Sequence, residues 1–380
     1  MMVNRILAVF VLSLLPVGLG AAVSVGKLDE TLLDPAYPAM QHWAKAGVQV
    51  TNESRNAQAV IHLEPGHDLA AAVAIPHRIV QLSAGNYRIK ETLRLADGVV
   101  LRGLSPQQTK IILTMRGTRP AAVENQFVPW TTGVLFESVT QSGVENLTVA
   151  FDDSLPAPSD PRRGDQSYLD NPGGQNDLHV VAVRLSGSQH CWLSNVAIQN
   201  SGQHPLVIES SAHVTVDGVE IAGTYNKGDG SGNLLISGSE YCLLTGLTVG
   251  GINHISFIND AFGRPSRYNV LINSRIAVDV RFRNPEASHN LLQECVIEVP
   301  SWHDFPPISL GWNATRANAA ANTNLIYFCT ITRDFSSSRT RFSIADNPNK
   351  VYHILANSTL KGNVEVAGPA PKASTLWPVR

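Results

Sequence analysis

The sequence predicts an all-β protein, a single-stranded right-handed parallel β-helix with a short N-terminal capping helix. Three observations predict it. A six-residue apolar unit with a fixed bend position recurs along the chain. A second apolar strand follows each unit after a corner. The composition, with 29 glycines and only 16% charged residues, suits short strands and tight turns rather than helices.

The repeated units are 144–149, 193–198, 216–221, 244–249, 271–276, 292–297, 326–331 and 355–360. Their third residues are Asn146, Asn195, Gly218, Gly246, Asn273, Glu294, Phe328 and Asn357. Asn and Gly dominate because both tolerate left-handed backbone angles, so the position reads as a one-residue bend between two strands. From Asn195 onward the bends are 23, 28, 27, 21, 34 and 29 residues apart. Periods of roughly 20–50 residues mean solenoids or propellers. A variable period with constant strand cores is that of a β-helix, whose loops differ between coils, and about ten coils are expected. The unit offers about three strands, where a propeller blade needs four.

Taken in order, the chain opens with one basic residue, Arg5, an apolar run over 6–19, and small residues at Gly20, Ala21 and Ala22. This is the pattern of a secretory signal peptide, so residues 1–22 are read as the signal and 23–380 as the β-helix domain, secreted or periplasmic. The run is shorter than the roughly 20 residues that span a bilayer, no Cys follows it to carry a lipid, and no later segment could span, so no membrane is expected after cleavage. Residues 70–74, after Pro65-Gly66-His67-Asp68, read as the capping helix over the open end of the core. Residues 79–89, 93–95 and 99–103 read as the first coils. Two polar stretches, 114–132 and 152–177, read as long loops of the kind that shape a groove on a rigid scaffold. The second strands are 206–209, 234–237, 255–258, 280–283 and 308–311. Alternation within them turns Val280, Phe282, Ile255 and Phe257 inward and Arg281, Arg283 and Ser256 outward.

Cys295 and Cys329 each stand one residue after the bend in successive coils, which predicts neighbouring core side chains, either stacked as buried thiols or bonded to each other. Cys191 and Cys242 share another position two coils apart and are expected to be free and buried. No Cys/His spacing resembles a zinc site. Asp229, Asp260 and Asp304 are scattered loop acids that do not indicate calcium, so no metal or cofactor is expected. The formal net charge of −2 gives no sign of nucleic-acid binding. A monomer is expected.

Counting from each bend to the following corner places His204, Lys227, His254, Arg281 and His303 eight or nine residues on, in five successive coils. At about 4.8 Å per coil, such a ribbon matches an extended polyanion of several uronate units. Cleavage of that polymer by β-elimination needs a base at C5, a neutraliser at the carboxylate and an acid for the leaving oxygen. Lys227 or His254 is the expected base, Tyr225 the acid, and Arg281 or Arg283 the neutraliser. His204, His303, Asn226, Asn253 and Arg283 are expected to bind substrate. Like charge from Arg281 and His254 would disfavour the Lys227 ammonium and help it act as a base.

The run from Ile79 to Gly103, with Ala84-Gly85-Asn86-Tyr87-Arg88-Ile89, Leu93-Arg94-Leu95 and Val99-Val100-Leu101-Arg102-Gly103, resembles the opening coils of the pectin-lyase-like superfamily. That resemblance implies the fold. The stretch 232–302 is similar in character to exported β-helical proteins that include polysaccharide lyases. It carries Asn253-His254-Ile255-Ser256-Phe257, Tyr268-Asn269-Val270, Asp279-Val280-Arg281-Phe282-Arg283 and His289-Asn290-Leu291-Leu292. Asn226-Lys227-Gly228 looks like the Asn-Lys turn of β-helical alginate and chondroitin lyases, which implies Lys227 as base with an Arg of a neighbouring coil as acid. Here no Arg occurs in the next coil before Arg264, a departure from that pattern. The expected activity is that of a carbon–oxygen lyase on a uronate polysaccharide, alginate foremost. A glycoside hydrolase, a mannuronate C5-epimerase and a non-catalytic polysaccharide binder remain alternatives. The hydrolase lacks support because the one Asp-Asp pair, Asp152-Asp153, opens a long loop and no Gly-His-Gly occurs. The Asp-Pro-His-Asp motif of the epimerases is also absent.

Overall fold

The computed structural model describes residues 27–49, 58–118, 130–155, 157–158, 177–227, 230–284, 286–300, 302–303, 305, 307–309, 324–333, 350–351 and 375–379. The signal region, the bend at Asn357 and most of both long loops lie outside these residues. Among the described residues no helix is long and apolar enough to cross a membrane.

The backbone is a parallel β-helix. Every strand-to-strand ladder among the described residues is parallel, and strands inside the stack pair with their equivalents one coil before and one coil after. Each coil contributes a strand, a one-residue bend, a second strand, a corner, and a third strand in a separate sheet. The bend ladder runs through Asn146, Asn195, Gly218, Gly246, Asn273, Glu294 and Phe328, all at φ between 51° and 62°. The bend expected from the Asn/Gly pattern therefore holds even at Glu294 and Phe328, where the residue is unfavourable in isolation. Pairing on both sides fixes the backbone there and overrides local preference.

The residue after the bend points inward. Leu147, Val196, Val219, Leu247, Cys295 and Cys329, at 0–1% exposure, form one buried column, with Ser274 at 3% between Leu247 and Cys295. Cys295 and Cys329 are neighbours in it, since the following residues Val296 and Thr330 pair, and the contact with Cys329, together with burial, pushes the Cys295 thiol up. All four cysteines are free and buried. On the third sheet, Leu206, Leu234, Ile255, Val280 and Ile308 form one inward row, and Ile208, Ile236, Phe257 and Phe282 the next. Phe257 and Phe282 stack with centroids 5.1 Å apart. The capping helix covers Leu69–Val73; Asp68 Oδ1 caps it by accepting from the Ala71 N–H, and Leu69, Ala72 and Val73 are buried in the core.

Two features were not read from the sequence. The first is a buried asparagine ladder in which Asn269, Asn290 and Asn324 hand side-chain hydrogen bonds from coil to coil at 2.9 Å. The second is an N-terminal strap. Residues 28–49 run lengthwise across the coils, anchored by Leu28 against Val379, Trp43 Nε1 to the His289 carbonyl (2.7 Å), and Gly47 N–H to the Tyr241 carbonyl (2.8 Å). Beneath it His190, His213, Tyr241, Tyr268 and His289 stack ring on ring, all at positive φ, with centroid spacings of 4.9–5.6 Å.

Candidate functional site

The third sheet positions the site at the edge where its strands begin. One residue before the inward row stand Asn233, His254 and Asp279, paired in register across three successive coils. One residue after it stand Leu235, Ser256 and Arg281. The corner leading to Asn233 is tight. Gly232 sits at φ +75°, and a Cβ there would lie 2.6 Å from the Asn226 carbonyl oxygen, so only glycine closes the turn.

Asp279 is the centre. Its Oδ1 lies 2.5 Å from His254 Nδ1 and 2.6 Å from His303 Nε2. The carboxylate is fully buried, and the two rings are 2% and 3% exposed. Burial pushes Asp279 up, but the two imidazoles outweigh it and hold the carboxyl below its ordinary range. An ionised Asp279 is acceptor-only, so each ring presents N–H to it. Burial is the main influence on His254 and pulls it down to about 4; the attraction of Asp279 opposes this and loses. His254 is therefore a neutral imidazole with Nδ1–H on Asp279, which leaves Nε2 as the lone-pair nitrogen. Among the described contacts Nε2 makes no hydrogen bond.

Phe305 packs this centre. Its ring meets His254 edge-on at 4.7 Å, lies 5.4 Å from His303, and carries the Arg281 guanidinium at 5.0 Å. Arg281 is only partly buried. Among the described residues it has no ion-pair or hydrogen-bond partner, and its Nε is buried and unpaired. Other outward arginines are committed: Arg94 to Glu137, Arg184 to Glu209 at 2.5 Å, and Arg275 to Glu298 at 2.6 Å.

The expected ribbon of five side chains is corrected by the register. His204 stands two residues before its inward partner Leu206, Lys227 seven before Leu234, His254 one before Ile255, Arg281 one after Val280, and His303 five before Ile308. They do not form one row, because counting from the bend ignores the unequal corner lengths. His254 and His303 converge on Asp279, a residue that the sequence reading did not select, and Arg281 stands beside them over Phe305. His204 lies apart: its Nδ1 accepts from the Asn233 N–H at 3.0 Å and its ring meets Trp130 edge-on at 5.2 Å. Lys227 is buried, 2% exposed, and Arg283 is half-buried.

Tyr225 is also corrected. Its ring is 1% exposed in the hydrophobic core, edge-on to Phe151 at 5.9 Å, and burial, with Asp152 adding to it, pushes the phenol up to about 12. It does not stand in the groove as a proton donor. Asn226 and Asn253 face neighbouring backbone instead of a ligand: Asn226 Nδ2 donates to the Gly202 carbonyl at 2.5 Å and Asn253 Nδ2 to the Ser231 carbonyl at 3.1 Å. Both close corners between coils.

The buried histidines make the fold acid-sensitive. Burial also pulls His204 down to about 4. The unfolded chain protonates near the ordinary imidazole value of 6.5 and the folded one near 4, so the unfolded state binds more protons between those values and stability falls as pH drops through that window. Each ring contributes on the order of 3 kcal/mol across the whole span. Asp279, depressed, withdraws its own contribution only at still lower pH. Thermal melts between pH 7 and pH 4 are expected to show the loss, with a shallower slope for His204→Phe. An unchanged slope in that variant would place the acid sensitivity elsewhere.

The metal-capable cluster among the described residues is this one: His254 Nδ1, Asp279 Oδ1 and His303 Nε2 all lie within 4.8 Å of one another. Its ligands are 25 and 24 residues apart in the chain, a spacing set by coil length and invisible to a local motif.

No family model and no curated protein matches the chain. Solved structures share the architecture at low identity. ORF18 of Geobacillus virus E2 is 12% identical, covering 84% of this chain and 60% of that one, at a TM-score of 0.46. An exopolygalacturonase from Thermotoga maritima is 10% identical, covering 84% of each chain, at 0.44. PfbA, a surface adhesin of Streptococcus pneumoniae, is 13% identical, covering 73% and 69%, at 0.44. The chain thus spans about 60% of the viral protein it matches. These are likenesses of fold.

Proposed function

We propose that the protein is an exported enzyme that cleaves a uronate-containing polysaccharide, with alginate the first candidate, by β-elimination over the Asp279 centre. The observation that carries this reading is Arg281, a partly buried guanidinium without an anionic partner among the described residues, held over Phe305 beside an Asp-oriented imidazole. A planar fork with free donors suits a carboxylate. A uronate carboxylate on Arg281 has its acidity at C5 raised as charge develops on it; the neutral His254 Nε2 accepts the C5 proton, the C4–O bond breaks as the C4–C5 double bond forms, and the resulting imidazolium returns the proton to the departing glycosidic oxygen.

Asp279 does not serve as a hydrolase acid in this arrangement. Two N–H donors keep it ionised, and its task is to fix the His254 tautomer, as the third group of a nucleophile–base–orienter set does. An inverting or retaining pair of carboxylates has no support in this centre. Trp130 beside His204 and Trp302 beside His303, at 5.2 and 5.1 Å, offer aromatic faces at either end of the stretch, as a sugar-binding cleft needs.

The test is an assay of the full protein on alginate, pectate, glucuronan and glycosaminoglycans. New ultraviolet absorbance from the unsaturated product is expected on one of them. Reducing ends without absorbance would replace this reading with a hydrolase, and neither signal would leave a binding protein or an epimerase.

A further inference from the structure

From the coordination chemistry of the centre we infer a reversible cation site: His254 Nδ1, Asp279 and His303 Nε2 bind one first-row transition-metal ion of the zinc class, and the bound ion silences His254. The silencing rests on the reading of His254 as base; the site itself does not.

The donor set is two imidazoles and one carboxylate, the mixture that suits zinc, nickel and copper rather than calcium or magnesium, which take oxygen ligands. All three donors converge from separate coils within 4.8 Å. Metal–ligand bonds of about 2.0–2.2 Å place tetrahedral ligand atoms roughly 3.4 Å apart. The two contacts to Asp279, now 2.5 and 2.6 Å, need to open by less than about 1 Å. The second observation is Asp279 Oδ2, a fully buried carboxylate oxygen with no hydrogen-bond partner among the described residues. Such an atom is costly unless something meets it, and an ion at the centre does so.

The surroundings hold the ligands in place. Phe305 packs both rings and Trp302 meets His303 edge-on at 5.1 Å. Arg281 is the cation that faces the site, and it works against a second positive charge. That repulsion excludes weakly bound ions and favours an anionic or water ligand at the open fourth position.

On binding, each ring gives up the proton it now directs at Asp279. His254 regains one at Nε2, because a neutral imidazole keeps a single N–H. Nε2 then donates and no longer accepts, so proton abstraction stops. Chelation of the ion restores the lone pair.

The experiment titrates zinc chloride into chelator-stripped full-length protein by calorimetry, with the thermal transition followed in parallel. One ion per chain and a raised transition are expected. His303→Ala and Asp279→Ala should each weaken binding by more than about 100-fold, beyond the 10–100-fold of a merely supporting residue. His303→Gln serves if either variant fails to fold. The double variant His190→Ala/His213→Ala, which removes the stacked imidazole pair under the strap, should keep full affinity. No binding, binding retained in His303→Ala and His303→Gln, or binding lost in the strap variant would overturn the site. In the polysaccharide assay zinc should suppress turnover at least tenfold and a chelator should restore it; faster turnover with zinc would overturn the silencing. Zinc binding without cleavage of any polymer would retire the lyase reading and leave the site, and cleavage without zinc binding would do the reverse.

Discussion

Replacing His254 by alanine is expected to lower turnover at least about 100-fold with folding intact, the usual worth of a positioned proton-transfer group. The ring is buried but lies outside the inward rows that carry the core, so its loss empties a polar position rather than a packed one. Asp279→Asn should do comparable damage by a different route. An amide presents either its oxygen or its NH₂ to the two rings, so it no longer dictates that His254 carries its proton on Nδ1. The half-population with the proton on Nε2 is inactive, and the lost charge weakens the base further. Arg281→Ala should depress kcat/KM by a similar order while Arg281→Lys restores little, because a point charge does not replace a planar fork over Phe305. Steady-state rates on the polymer that responds, with circular dichroism to confirm folding, check all of these. Full activity in a folded His254→Ala variant, or in the Lys227→Ala/His254→Ala double variant, would sink the assignment.

Asn290→Leu is expected to destabilise the fold by at least about 3 kcal/mol, against a side chain of similar size that simply lacks polar groups. Asn290 Oδ1 accepts from the Asn269 backbone N–H at 3.1 Å and from Asn269 Nδ2 at 2.9 Å. Its own Nδ2 donates to the Ser266 carbonyl at 3.1 Å and to Asn324 Oδ1 at 2.9 Å. Asn269, Asn290 and Asn324 are all fully buried. Leucine in the middle therefore strands groups on both neighbouring coils, and each unsatisfied buried group costs about 1–3 kcal/mol. The bend asparagines make the contrast. Asn195 Nδ2 also donates to an asparagine, Asn146 Oδ1 at 2.8 Å, but that pair is exposed and Asn195 is at φ 51°. Asn195→Gly keeps the bend and should change stability by well under 1 kcal/mol. Denaturant midpoints of the two variants settle the matter: equal losses would show that the buried ladder contributes nothing special.

The fold was legible because it is written as a one-dimensional repeat. Inward positions are apolar in nearly every coil, since each coil stacks on the last; Ser274 is the exception in the column after the bend, and its hydroxyl is hydrogen-bonded to the Leu247 N–H and the Ile272 carbonyl. The bend needs a left-handed residue, so Asn146, Asn195, Gly218, Gly246 and Asn273 mark it openly. The same logic found the Cys295–Cys329 neighbours and the outward placement of Arg281. It failed for the corners, where lengths vary. His204, Lys227 and His303 were therefore assigned to a single ribbon that the register divides. Tyr225 looked like a surface turn residue beside Lys227, yet its ring turns into the core against Phe151.

What the sequence by itself determined is the parallel helix, its bend, its inward columns and the presence of His254, Arg281 and His303 on neighbouring coils. Those follow from local backbone preference and from the burial of one side chain in two along a strand. What only the tertiary structure decided is Asp279. One residue before the inward row in its own coil, it reads as an ordinary polar residue at a strand start. Register with His254 and the return of the chain at His303 bring two imidazoles onto one of its oxygens, 25 and 24 residues away in the chain. Stacking across coils, with pairing between distant backbone segments, sets that convergence, and no stretch of sequence contains it.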